Sequence, residues 1–169
     1  MIDNKTLESL KKHHEQAFER VYDATKRGVY AVIFSVVRSH PATEDIMQDV
    51  YMKMMTSLDR YEMGTNFNNW LLTIARNKAL DHLRHEKRHV NVDVTDMDDI
   101  NTDRGTGPDE QTAFELLINA LDGDQRSVVL MRIVDDMRFK DIAKVLEKPV
   151  GTVRWIYSEA IKTLKGVTM

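Results

Sequence analysis

Two groups of side chains in this sequence have the types and spacing that chemistry needs. The first is His85-Glu86-Lys87-Arg88-His89. On a helix, two imidazoles four residues apart share a face and can hold one zinc ion. A glutamate between them then serves as general base, as in the H-E-x-x-H helix of zinc hydrolases. The second group contains no nucleophile. Arg76, Asn77, Lys78, Arg84, Lys87 and Arg88 fall in one stretch, and Arg138, Lys140, Arg154 and Lys162 in another. Basic side chains in a row neutralise phosphates, and Asn and Arg also read base edges.

The zinc reading meets obstacles along the chain. Val92 stands where the longer metzincin pattern needs a glycine. A third ligand would have to come from as far away as Glu110 or Glu115, and the neighbouring Arg and Lys repel a cation. There are no cysteines, so thiolate metal sites and disulfides are excluded, which suits a reducing compartment. No metal and no cofactor is expected, and His82, His85 and His89 are expected on a DNA-facing or solvated side. A zinc hydrolase stands last among the readings.

The nucleic-acid reading gains from the elements that carry the basic residues. Arg138 to Leu164 reads as two short helical patterns around a turn containing Pro149 and Gly151. Phe139, Ile142, Ala143 and Leu146 share one face of the first helix. Val153, Tyr157, Ala160 and Leu164 share one face of the second, which leaves Thr152, Arg154, Ser158 and Lys162 outward. Ala143 is small where the helices cross. This is the pattern of a helix-turn-helix, whose second helix enters the major groove of duplex DNA. The segment 138–165 carries seven basic residues against three acids.

The rest of the chain is helical by periodicity, without strand alternation. Phe18, Val21, Tyr22, Thr25, Val29, Val32, Ile33 and Val36 make one stripe from about Glu15 to Arg38. Pro41 suits the first turn of the next helix, which carries Ile46, Met47, Val50, Met54 and Leu58. A loop with Gly64, Asn66 and Asn68 leads to a helix over about 69–88, with Trp70, Leu71, Ile74, Ala75 and Leu83 inward. Residues 89–110 are Asp- and Gly-rich and poor in large apolar groups, and read as an acidic flexible linker. Helical patterns resume over 109–122 and 124–135, with Asp124 as N-cap of the latter. The expected fold is therefore all-α: two small helical domains, 1–89 and 110–169, around a linker at 90–109. The 169 residues carry a net charge of −3, so DNA affinity must come from local patches. No apolar run suits a signal peptide or a membrane span, so a cytoplasmic chain without membrane insertion is expected.

Two blocks resemble known proteins. Residues 44–88, with Glu44-Asp45, Gln48-Asp49, Phe67-x-x-Trp70-Leu71, Ile74-Ala75-Arg76-Asn77 and Asp81-x-x-Arg84, resemble the second conserved region of ECF-type sigma factors of bacterial RNA polymerase. Residues 120–160, with Asp141-Ile142-Ala143-x-x-Leu146 and Gly151-Thr152-Val153-Arg154, resemble their fourth region. The blocks lie in family order and cover most of the chain.

The resemblance implies a protein that binds core RNA polymerase and directs promoter recognition, melting and initiation, without being an enzyme itself. It implies a polymerase contact at Asp45, Gln48, Asp49 and Lys53. It places the minus-ten element on Thr65, Asn66, Asn68, Arg76, Asn77, Lys78, Arg84, Lys87 and Arg88; Asp81, one turn from Arg84, is expected from its spacing to orient that side chain. It places the minus-thirty-five duplex on Arg138, Lys140, Thr152, Arg154, Trp155, Ser158 and Lys162. Trp155, Ile156 and Glu159 stand where the family often has Arg, Lys or Ser, which leaves Trp155 either to contact a thymine methyl or to pack against the first domain or an inhibitor. Core polymerase, promoter DNA and an anti-sigma factor are the implied partners, and in the free chain the two domains are expected to change their relative position. The alternative is a stand-alone helix-turn-helix regulator that never joins polymerase.

Overall fold

The computed structural model describes residues 1–90 and 113–168. Its order is α1 (Asn4–Lys11), α2 (Glu15–Val37), α3 (His40–Ser57), a 3-10 turn (Leu58–Arg60), α4 (Phe67–Val90), α5 (Ala113–Asn119), α6 (Gly123–Ile133), α7 (Phe139–Leu146) and α8 (Val150–Thr168). The fold is all-α, with no strand among the described residues. The acidic linker falls almost wholly outside them. So does the start of the expected 109–122 helix, whose described part is α5.

Local chemistry sets the helix boundaries. Ser39 caps α3, its hydroxyl accepting from the Ala42 amide, and Pro41 lies in the first turn. Asn66 caps α4: its side-chain oxygen accepts from the Asn69 amide at 3.0 Å, and its carbonyl from the Trp70 amide at 3.1 Å. Asp122, not Asp124, caps α6. Asp122 and Gln125 form a reciprocal capping box, satisfying two amides that a helix start leaves orphaned. Asp124 instead pairs with Lys148 at 3.1 Å, tying the start of α6 to the turn between α7 and α8.

The first half is a bundle of α1 to α4. Val21, Val29, Val32 and Ile33 of α2 meet Ile46, Val50 and Met54 of α3 and Leu71, Leu72, Ala75 and Ala79 of α4, all buried. Some expected inward residues lie nearer the rim. Trp70, Ile74 and Leu83 are half-buried, and Tyr22 is exposed at the edge of its stripe. Thr25 donates to the Val21 carbonyl at 2.7 Å, so the Tyr51 hydroxyl 2.9 Å away is the donor to Thr25. Burial pushes the Tyr51 hydroxyl up to about 12.

The second half packs on the first. α6 lies along α2, and α7 against α4. Val128, Met131, Ile142, Val145, Leu146, Val153 and Ile156 belong to the same buried cluster as the core of the first bundle. In this structure the two halves therefore share one buried core.

Candidate nucleic-acid and partner interfaces

The loop before α4 is built from backbone capping and an aromatic triangle. Tyr61, Phe67 and Trp70 have ring centroids 5.1–5.5 Å apart. Phe67 and Tyr61 are buried, so Phe67 is core, and Trp70 packs on it at the rim. The Tyr61 hydroxyl donates to the Thr65 carbonyl at 2.6 Å, and the Thr65 hydroxyl to the Glu62 carbonyl at 2.8 Å. Gly64 takes a φ of 91°, a left-handed conformation open to glycine. Tyr61 thus shapes the loop, although its sequence position carries no periodic signal. Thr65 and Asn66 are exposed, while Asn68 is half-buried.

The basic end of α4 is an open surface. Asn77, Arg84, Lys87 and Arg88 are exposed, and Arg76 and Lys78 half-exposed beside them. Asp81 accepts from Arg84 at 3.0 Å, as the spacing predicts. The imidazoles of His85 and His89 stack on one another at 4.9 Å, and His82 pairs with Glu86 at 3.4 Å. Among the described residues no third metal-ligating side chain joins these histidines. Glu110 lies outside the described residues, and Glu115 bonds to His40 across the molecule at 2.8 Å.

On α3, Asp45, Gln48, Asp49 and Lys53 are all exposed. Gln48 also lines an apolar groove of about 1260 Å³ along α2 and α3, walled by Phe18, Tyr22, Met47, Tyr51 and Met52 and at one end by Phe114 of α5 and Leu130 of α6. Met54 is core, as its spacing suggests; Met47 is half-buried and Met52 is 68% exposed. A polar helix face beside adaptable thioethers suits packing against another helix.

The pair α7–α8 is the expected helix-turn-helix. Ile142, Ala143, Leu146 and Val153 are buried, and Phe139 meets Tyr157 edge-on at 5.3 Å. The turn is made by Glu147, with a φ of 54°. The Pro149 carbonyl accepts from the Val153 amide at 3.1 Å, starting α8, and Gly151 lies inside that helix. Arg132 holds the approach to α7, donating to the Met137 carbonyl at 2.9 Å and lying over the Phe139 ring. Arg138, Lys140, Thr152, Arg154, Trp155, Ser158 and Lys162 are all exposed. Ile156 is core rather than a surface position, and Glu159 is paired to Lys162 at 2.6 Å. Trp155 is 64% exposed, so it does not pack on the first half.

Residues that sequence reasoning missed join the two halves. Arg126 is 5% exposed and meets three carbonyls: Ser35 at 2.9 Å, Leu121 at 2.8 Å and Ile118 at 3.2 Å. Ser35 and Ile118 lie in the last turns of α2 and α5, where carbonyls lack helical partners. Burial pulls the guanidinium down to about 10, Arg38 adds to this, and Asp122 opposes it. The Ser35 and Ser127 hydroxyls lie 2.9 Å apart. Arg38 donates to the Asn119 side chain at 2.6 Å, and His40 is bonded by Tyr30 on one ring nitrogen and Glu115 on the other.

A two-part helical chain with a helix-turn-helix behind a basic helix is the architecture of a promoter-reading transcription factor. The family model for Sigma-70 region 2 matches residues 21–89, and that for Sigma-70, region 4 matches residues 111–164. RNA polymerase sigma factor CarQ of Myxococcus xanthus is 30% identical over 88% of this chain and 87% of its own. ECF RNA polymerase sigma factor SigW of Bacillus subtilis is 25% identical over 91% and 90%. Among solved structures, the sigma factor RpoE of Bartonella quintana, in complex with the anti-sigma factor NepR, has a TM-score of 0.73 at 24% identity, covering 89% of this chain and 96% of its own. CnrH, in complex with the cytosolic domain of CnrY, has a TM-score of 0.71 at 18% identity, covering 99% and 97%. The chain belongs to the ECF family of RNA polymerase sigma factors. It binds core RNA polymerase and directs promoter-dependent transcription initiation. No helix among the described residues is long and apolar enough to cross a membrane.

Proposed function

We propose a division of labour among three surfaces. The face of α3 with Asp45, Gln48, Asp49 and Lys53 docks on the polymerase. The start of α4 with Thr65, Asn66 and Asn68 receives an unpaired minus-ten base, and Arg76, Asn77, Lys78, Arg84, Lys87 and Arg88 follow the DNA strand. The recognition helix α8, with Thr152, Arg154, Trp155, Ser158 and Lys162, and the start of α7, with Arg138 and Lys140, take the minus-thirty-five duplex. Residues 1–89 and 110–169 are the two functional domains, with 90–109 between them.

The observation that carries the reading is the exposure of the outward row on α8 together with the buried Ile142–Val153 seam behind it. That is the geometry a major-groove helix needs. The three surfaces hold binding groups without a nucleophile–base pair, so the chain supplies recognition and the polymerase supplies the chemistry. Its place is the cytoplasm, with the polymerase. An anti-sigma factor completes the partner set, by extension from RpoE, solved with NepR.

The test is co-elution of core polymerase with the purified chain, followed by run-off transcription on genomic fragments. New start sites that vanish when Asp45, Gln48 and Asp49 are replaced by alanine support the reading. Duplex binding without polymerase binding makes the chain a stand-alone regulator.

A further inference from the structure

The polar face of α3 has a sulfur at its centre. Met52 lies one helical turn beyond Gln48 and Asp49 and falls between the rows that they start, beside Lys53. It is 68% exposed. Met47 and Met55, which line the groove, are half-buried, and Met54 on the inward side is 0% exposed. The chain has no cysteine, so thioethers are its only oxidisable sulfur. A thioether is soft and apolar and packs readily against a partner; its sulfoxide is polar and does not.

We propose that Met52 is a redox modification site that sets whether the free chain docks on polymerase. This rests on the polymerase reading of α3 above. The oxidant is a peroxide. A lone pair of the Met52 Sδ attacks one peroxide oxygen, and the S–O bond forms as the O–O bond breaks. Sulfur gives up an electron pair, the departing hydroxide takes the proton of the transferred hydroxyl, and the products are sulfoxide and water. A partner helix packed over the site then buries the sulfoxide oxygen without a donor, which weakens docking about tenfold or more. Docked polymerase covers the sulfur, so the reaction belongs to the free chain. A methionine sulfoxide reductase restores the thioether. Burial ranks the methionines of α3: Met52 reacts first, Met47 and Met55 later, and Met54 only when the fold opens.

The full chain is treated briefly with hydrogen peroxide, and peptide mass spectrometry reads which methionines gain oxygen. Affinity for core polymerase is measured before and after, with circular dichroism to verify the helices. Met52→Leu, with no sulfur at that position, and Met52→Gln, polar from the start, are each compared with their own untreated form. The parent should gain oxygen at Met52 before Met54 and lose about tenfold in affinity or more. Met52→Leu should lose less than about twofold on treatment, and Met52→Gln should bind weakly in both states. Unchanged affinity of a parent oxidised at Met52 overturns the proposal. So does an equal loss by the parent and Met52→Leu, or oxidation of Met54 as fast as Met52. In all three cases the docking reading of α3 stands. If Asp45→Ala, Gln48→Ala and Asp49→Ala together leave polymerase affinity intact, that reading fails, and the proposal with it.

Discussion

The guanidinium of Arg126 crosses from α6 to donate 2.9 Å to the carbonyl of Ser35, in the last turn of α2. One cation thereby caps the C-terminal end of a helix in the other half of the chain, where its charge also meets the negative end of the dipole. Arg126→Met leaves three carbonyls short of a donor, at a cost of about 2–4 kcal/mol. Urea unfolding should show the loss in the midpoint, with Arg126→Lys recovering only part of it, because an ammonium cannot span the three acceptors.

The start of α6 separates two neighbouring acids by role. Asp122→Ala removes the capping box and should cost about 1 kcal/mol. Asp124→Ala removes only a half-exposed pair with Lys148 and should cost under roughly 0.5 kcal/mol. Thermal melts of the two variants side by side decide it; equal losses would contradict the capping assignment.

Acidity should act through Asp135. Burial raises its carboxyl above the ordinary value of 3.8, against the Asn68 hydrogen bond and the charge of Arg27, which lower it. The folded pKa is the higher one, so the folded state binds the proton more tightly. Its contribution is complete below the ordinary value and is lost as pH rises through the raised one. Asp135→Asn mimics the protonated group. It should be more stable than the parent at neutral pH, and the gap should narrow as pH falls. A gap that does not change with pH would refute the assignment.

On the recognition helix, Arg154→Ala should lower the salt slope of duplex binding by about one while leaving the fold intact. Trp155→Ala should change stability by less than about 0.5 kcal/mol, because the ring is largely exposed. A large loss of stability in either variant would show that these side chains pack rather than bind.

How much was legible depended on whether a residue's partners are near in sequence. The seam of Ile142, Leu146 and Val153 shows in helical spacing, and the Asp81–Arg84 pair follows from a three-residue interval. The true cap of α6 was also readable, since Asp122 stands three residues before Gln125; the nearer acid drew the assignment instead. Arg126 was not readable. A charged residue inside an amphipathic stretch looks like a surface group, and its partner Ser35 is 91 positions away. Asp135 and Asn68 were hidden for the same reason, being 67 positions apart. The polar groups that set how the halves meet leave no period, while the apolar groups that form each half do.

His40 opens α3, the helix whose outer face is proposed to hold the polymerase, and its ring is bonded to Glu115 of α5. Thermodynamic linkage makes such a joint symmetrical. If docking on α3 parts His40 from Glu115 and so weakens the hold on α5, a ligand that presses α5 home must weaken docking by the same factor. An inhibitor coupled in this way would have no need to cover the polymerase surface. It would act from the opposite side of that one imidazole, and the most by which it could weaken docking is that shared coupling.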